Sequence, residues 1–261
     1  MLWSKAWLET RFRFFTGVGL VGAVTAFFVF VHPFVTRQWR TDRVLHPEWA
    51  EPEWLGRALV DYPFFLWHFL FADLLQGTWI LCAVLLGLGG VAREAAQGSA
   101  GFTLSLPVTR RRLLAVRTAV GGAEVLALGL VPALLVPALS AAAGHAYPPG
   151  QALAHSLLMA MGGLVFFALS VLLSTLLRDE HTPLLVGVSI AAVLYFVVQP
   201  YADGRTAGPA WVRWVNVPRL MAGPPELASA GDVPWTALGV SAAIAAALLA
   251  ASFRINDARD F

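Results

Sequence analysis

The stretch VLALGLVPALLVPALSAAAGHAYPPGQALAHSLLMAMGGLVFFALSVLLSTLL, Val125–Leu177, runs for 53 residues without an Asp, Glu, Lys or Arg. A helix needs about 20 apolar residues to cross the roughly 30 Å hydrocarbon layer of a bilayer. The stretch is therefore too long for one crossing and long enough for two. Its punctuation is GHAYPPGQ, Gly144–Gln151, where Pro-Pro-Gly signals a turn. The pattern predicts one span before that turn and another after it. The whole chain agrees: 58% of its 261 residues are hydrophobic and only 13% charged, against about 25% charged in a soluble domain.

The same reading extends outward in both directions. Phe14–Thr36 is free of charge and follows Lys5, Arg11 and Arg13. It is too long for a cleaved signal and no small-x-small cleavage site follows it, so it reads as an uncleaved first span. Phe69–Val91 is interrupted only by Asp73, and further apolar runs lie within His181–Ala202 and Val233–Phe253. The expected fold is an all-α polytopic membrane protein, one transmembrane domain over 1–261. Its six spans fall at about 14–36, 69–91, 113–141, 152–177, 182–200 and 234–253. Residues 1–13 place Trp3, Ala6 and Trp7 apart from Lys5, Glu9 and Arg13, the pattern of a short interfacial helix. Stretches between spans reach about 36 residues at most, too short for a separate soluble catalytic domain.

Six spans put both termini on one side. Lys and Arg near span ends mark the cytoplasmic side. With both termini inside, eleven of the eighteen basic residues are inner, and seven lie in longer outer loops that also carry Asp42, Glu48, Glu51, Glu53 and Asp61. Trp39, Trp49, Trp54, Trp67, Trp211, Trp214 and Trp235 fall in or beside those outer loops. Amphipathic rings favour the headgroup level, so short helices lying on or dipping into the outer interface are expected there.

Lys5 is the only lysine, and it follows no glycine-rich loop, so the chain has no phosphate-binding loop of the GxxxxGK[ST] type. HExxH, GxSxG and CxxC are absent, and Cys82, in WILCAVLL, reads as a small buried hydrophobe. An enzyme within the bilayer would need a converging titratable pair such as Glu124 with His155. Glu124 lies about ten residues into the third span, or about 15 Å, near the bilayer middle. A carboxylate at that depth faces protein or a water-filled cavity. Either it lines a substrate or ion pathway, or it bonds a neighbouring helix through His155, Ser156 or Gln76. Gly19 with Ala23, Gly187 with Ala191, and Ala243, Ala247 and Ala251 have the spacing that lets helices approach closely in lipid.

Between spans two and three lies VAREAAQGSAGFTLSLPVTRRRLLAVRTAVGG, Val91–Gly122. Gly98-Ser99 can stop one helix and cap a short second one that ends near Ser105 and is broken at Pro107. Thr109 suits an N-cap for the next span. Arg110, Arg111 and Arg112 then fall in its first turn, where the helix dipole disfavours cations and anionic headgroups offset this by about 1 kcal/mol per charge. They read as headgroup anchors.

Arg93, Glu94, Gly98, Ser99, Ser105, Leu106, Pro107, Val108, Thr109 and Arg110 together resemble the loop of permease subunits of the type-two, export-class ATP-binding-cassette transporter family. The ending FRINDARDF, with Arg259, Asp260 and Phe261, is similar to that family's C-terminus. The resemblance implies a bacterial inner-membrane exporter subunit without an ATPase of its own. The chain itself would hold no cofactor; ATP and Mg²⁺ would be bound by separate ATP-binding-cassette ATPase subunits. A second permease copy or paralogue and membrane lipid are the other partners implied, and nucleic acid is not. The loop 93–112 would carry a coupling helix in an ATPase cleft, with Arg93, Glu94, Gly98, Ser99, Phe102, Leu104, Ser105, Leu106 and Pro107 at the interface. A membrane scaffold or assembly factor without a transport cycle is the alternative, and predicts no ATPase partner.

Overall fold

A computed structural model describes residues 2–45, 53–88, 108–177, 182–198, 216–224, 227 and 234–258. All regular elements among them are helical. Helix α1 is Leu2–Leu45, and α2 is the short Glu53–Ala58. A rod from Tyr62 to Gly87 comprises α3 (Tyr62–Leu66), a π-helical stretch (Trp67–Leu74) and α4 (Leu75–Gly87). Helices α5 (Arg110–Gly129) and α6 (Val131–Ala142) follow one another end to end, and α7 is Pro149–Leu176. Helix α8 (Thr182–Ala192) continues into π-helical Val193–Val198; α9 is Val217–Ala222 and α10 is Trp235–Ala258.

Five rods are long and apolar enough to cross a membrane: 2–42, 62–87, 110–142, 149–176 and 235–258. The expected fifth span corresponds to α8 and its π-helical extension, of which Thr182–Ala192 is an apolar helix below that length. The turn that divides the charge-free stretch closes α6 with two main-chain bonds, His145 N to Ser140 O at 2.9 Å and Gly144 N to Ala141 O at 3.1 Å. This pairing needs a left-handed residue at its centre, and Gly144 supplies it with φ 78°. Pro149 then opens α7, where its missing N–H is no loss.

Helix α7 is the hub. It packs against α4, α5, α6, α8, α9 and α10, and 67% of its apolar window is buried, against 22% for α1 and for α10. A Cβ at Gly129 would lie 2.7 Å from the Ala160 Cα, so α5 and α7 meet backbone to backbone. Gly187 sits over Val84 and Leu173, which puts the Gly187–Ala191 stripe to use inside the subunit. Phe12, Phe15, Phe27, Phe30 and Phe34 of α1 are exposed in a stripe that passes Gly19 and Ala23, as suits a helix whose outer face meets lipid or another helix.

The pairings also fix helix directions. Gly17 opposes Leu128 and Gly22 opposes Leu135, so α1 runs alongside α5 and α6 in the same sense. Gly163 opposes Trp79 and Gly87 opposes Ser170, so α4 and α7 share a direction. Gly121 opposes Phe167 and Gly129 opposes Ala160, so α5 runs against α7. The end of the bundle where α4 stops and α5 starts is called the loop end below; the end bearing residues 143–148 is the turn end. The start of α1 and the end of α10 both lie at the loop end, through Glu9 with Arg117 and Asp257 with Arg111.

One expectation is overturned. No separate interfacial helix occupies residues 1–13, because α1 is unbroken from Leu2 to Leu45. Nothing between Arg13 and Phe14 stops a helix, and Ala6 and Thr10 are buried against the bundle instead of lying along a lipid surface.

Candidate functional site

The loop end gathers most of the charged side chains that bond from one helix to another. Helix α4 stops where Leu88 turns extended, which leaves its last carbonyls without helical partners. Arg13 Nη1 donates to the carbonyls of Leu85 and Leu88, both at 2.8 Å. A cation at this position also complements the negative end of the helix dipole. Helix α5 starts at the expected cap: Thr109 is extended, and its Oγ1 accepts from the Arg112 N–H at 3.3 Å. Arg111 and Arg112 are exposed in the first turn. Arg111 Nε reaches Asp257 of α10 at 4.0 Å, a loose and mostly solvated pair of little energetic weight.

One turn up α5, Arg117 Nη2 donates to Glu9 Oε2 at 2.7 Å, and Lys5 Nζ lies 3.8 Å from the other oxygen of that acid. Two turns further, the Thr10 hydroxyl donates to Glu124 Oε1. Glu124 is 4% exposed, and its Oε2 has no partner among the described residues. One expectation changes here: the bonding partner is Thr10 of α1, not His155, Ser156 or Gln76. Gly121, one turn before Glu124, opposes the ring of Phe167 in α7 and the carbonyl of Leu86 at the end of α4.

The polar residues once matched to Glu124 form their own group nearer the turn end. Helix α9 is capped by Asn216 Oδ1, which accepts from the Arg219 N–H, and is ended by Gly223 at φ 62°. Gln76 donates to the carbonyl of Pro218, and His155 Nδ1 lies 3.2 Å from the carbonyl of Ala222. Trp67 Nε1 donates to Ala222 O at 3.1 Å. Helix α9 therefore dips into the bundle, its Met221 seated over Gly162. His155 Nε2, Gln76 Oε1, Ser156 Oγ and Asn216 Nδ2 are buried there with no partner among the described residues, the kind of group that ordered water satisfies. Glu124 lies opposite the middle of α7, several turns from His155, so the two do not form a pair.

At the turn end itself, His32 of α1 meets the rings of Tyr62 and His145 at 4.8 and 4.9 Å between centroids. The Tyr62 hydroxyl and Ser140 Oγ are 2.8 Å apart. Burial pushes the neighbouring Tyr147 phenol well above its usual range, with Tyr62 and Asp61 adding to the rise.

Arg93, Glu94, Gly98, Ser99, Phe102, Leu104, Ser105, Leu106 and Pro107 lie outside the described residues. Arg110, Arg111 and Arg112 stand where expected, at the start of α5. Glu9, Thr10, Arg13 and Arg117 were not anticipated as a group. Their signal is the run Ala6, Thr10, Arg13, Gly17 and Val21, small or polar residues three and four apart along an otherwise bulky helix.

Residues 60–260 match the family model described as ABC-2 family transporter protein. No curated protein matches the chain.

Proposed function

The chain belongs to the ABC-2 transporter family, and from that premise we propose that it is the pathway-forming subunit of an ATP-driven exporter. It is a multi-pass membrane transporter subunit and a permease component, with ABC ATPase subunits as its family partners. In our reading two permease chains pair, both termini face the cytoplasm of a bacterial inner membrane, and the loop 93–112 receives the ATPase.

The observation that carries this reading is the convergence at the loop end. Both roots of the segment 89–107 reach the end of the bundle where Arg13, Arg110, Arg111, Arg112 and Arg117 are gathered. A chain whose only lysine is Lys5 has no phosphate-binding loop, so its energy enters from a partner. Closure of the ATPase pair would push the Gly98–Ser105 segment, with Phe102, Leu104 and Leu106 docked in its cleft. The push would tilt the first, second and fifth spans and turn a cavity from inward- to outward-facing. Arg110, Arg111 and Arg112 would hold the next span at the headgroups. The exposed α1 stripe with Gly19 open to approach suits a second permease chain.

The test is to co-express the chain with candidate ABC ATPase subunits from its own genome and purify the complex. Replacing Gly98–Ser105 with a Gly-Ser linker is expected to abolish co-purification or permease-stimulated ATP hydrolysis. Unchanged capture and unchanged hydrolysis would sink the model.

A further inference from the structure

Leu88 at the end of α4 and Val108 before the start of α5 flank residues 89–107, and both α4 and α5 are tied to the same short stretch of α1. Arg13 holds the first root through the carbonyls of Leu85 and Leu88. Glu9 and Thr10 hold the helix that starts at the second root, through Arg117 and Glu124, about two and four turns along α5. Residues 9 to 13 cover little more than one helical turn, about 6 Å. We propose that Glu9, Thr10 and Arg13 form a clamp that joins the two roots of the loop and carries its displacement into α1 as one body. The proposal rests on the reading above that this loop receives the ATPase.

The geometry leaves little slack. Hydrogen bonds of this kind hold over roughly 2.7–3.2 Å, and Arg13 and Arg117 make theirs at 2.8 and 2.7 Å. A shift of either root by about an ångström therefore moves residues 9–13 with it or breaks the bonds. Those residues belong to a helix without a break as far as Leu45. Its buried face, through Gly17, Val21, Thr25 and Val29, rests on the bundle. Its far half carries His32, in the ring cluster at the turn end, and Arg40, whose Nη2 donates to the carbonyl of Leu59 at 2.9 Å. One continuous helix, with Pro33 inside its far half, thus connects the place where the loop is rooted with the opposite end of the bundle. In this role Glu9, Thr10 and Arg13 are positioning residues, acting through α4 and α5.

The test uses the full chain purified with its ATPase and reconstituted in lipid vesicles, comparing Arg13→Gln, Arg13→Lys and Glu9→Gln. At this position glutamine is shorter and uncharged, whereas lysine keeps both the charge and donors for the two carbonyls. Arg13→Gln and Glu9→Gln are expected to keep the ATPase bound and to lower permease-stimulated ATP hydrolysis, the first about tenfold, the effect of losing a charge-assisted bond, the second by roughly two- to fivefold, as suits a solvent-exposed pair. Arg13→Lys is expected to restore most of it, which a merely structural role for the side chain's bulk would not require. Full hydrolysis in both Arg13→Gln and Glu9→Gln overturns the clamp. So does loss of ATPase capture in these variants, which would make the residues part of assembly. Should Arg13→Gln fail to reach the membrane, the solvent-exposed pair probed by Glu9→Gln carries the test. The Gly-Ser linker variant separates the two ideas. If the linker leaves capture and hydrolysis intact, the loop reading fails; if it abolishes them while the clamp variants remain fully active, only the clamp fails.

Discussion

At Glu124 the two carboxylate oxygens have different surroundings. Oε1 accepts from Thr10, and Oε2 is buried with no partner among the described residues. Gln keeps an oxygen for Thr10 and removes the charge, so Glu124→Gln separates the two roles open to this position. If the residue lines a pathway, the variant assembles with its ATPase and elutes like the wild type, yet its transport falls about tenfold, the scale of one charge-assisted contact. Transport and assembly that both match the wild type would remove Glu124 from the pathway. That an acid sits in this span was legible from the sequence; its partner was not. Helical spacing along α5 shows which face a residue occupies, while Thr10 lies 114 positions away.

Among elements, the close contact between α5 and α7 carries a prediction. At Gly129 a side chain would meet the backbone of Ala160, which cannot rotate away. Gly129→Val is expected to lower stability by about 1–3 kcal/mol or more, the usual cost of overpacking, seen as an earlier melting transition of the detergent-solubilised protein. Gly77, with open space where its Cβ would be, supplies the contrast: Gly77→Ala should melt no earlier than the wild type, since Ala is the better helix former. The sequence marked elements well where local chemistry decides them. Thr109 caps α5, and Gly144 with Pro149 makes the turn between α6 and α7. It misjudged α1, whose amphipathic start suggested a separate surface helix. The partners that draw Ala6 and Thr10 inward belong to a span more than a hundred residues later. Helix α9 was foreseen only as one of several short helices at or dipping into an interface. Its anchoring by Gln76, His155 and Trp67 depends on three residues from two other rods.

For the molecule as a whole, orientation follows from where its basic residues stand. Arg110, Arg111 and Arg112 open one rod at the loop end, the same end at which α1 starts and α10 finishes. Changing all three to Gln removes the densest basic cluster of the chain and weakens the bias that, in the proposed orientation, retains this end in the cytoplasm. A C-terminal reporter that is active on only one side of the membrane should then give a mixed signal, or the inserted yield should drop. A single cytoplasmic signal at full yield would show that the remaining basic residues suffice. The helical class was within reach of composition, and five long apolar rods overlap expected spans, whereas the span expected at 182–200 corresponds to an apolar helix, Thr182–Ala192, below that length. What lay beyond composition and spacing is the ranking of the rods, since α7 is the hub while α1 and α10 are mostly uncovered.

That ranking bears on how the protein is made. Synthesis delivers α1, α4, α5 and α6 to the membrane before residue 149 exists. The close seats that Gly87, Gly121 and Gly129 offer, however, are filled by Phe167, Ser170 and Ala160 of α7. Until that helix arrives, the earlier ones hold only their contacts with one another, and their small-residue faces stand open to any neighbour in the bilayer. Biogenesis therefore has a committed step at the fourth long rod. A ribosome that stalls before it leaves behind a fragment lacking its centre, of the kind that membrane quality control has reason to recognise.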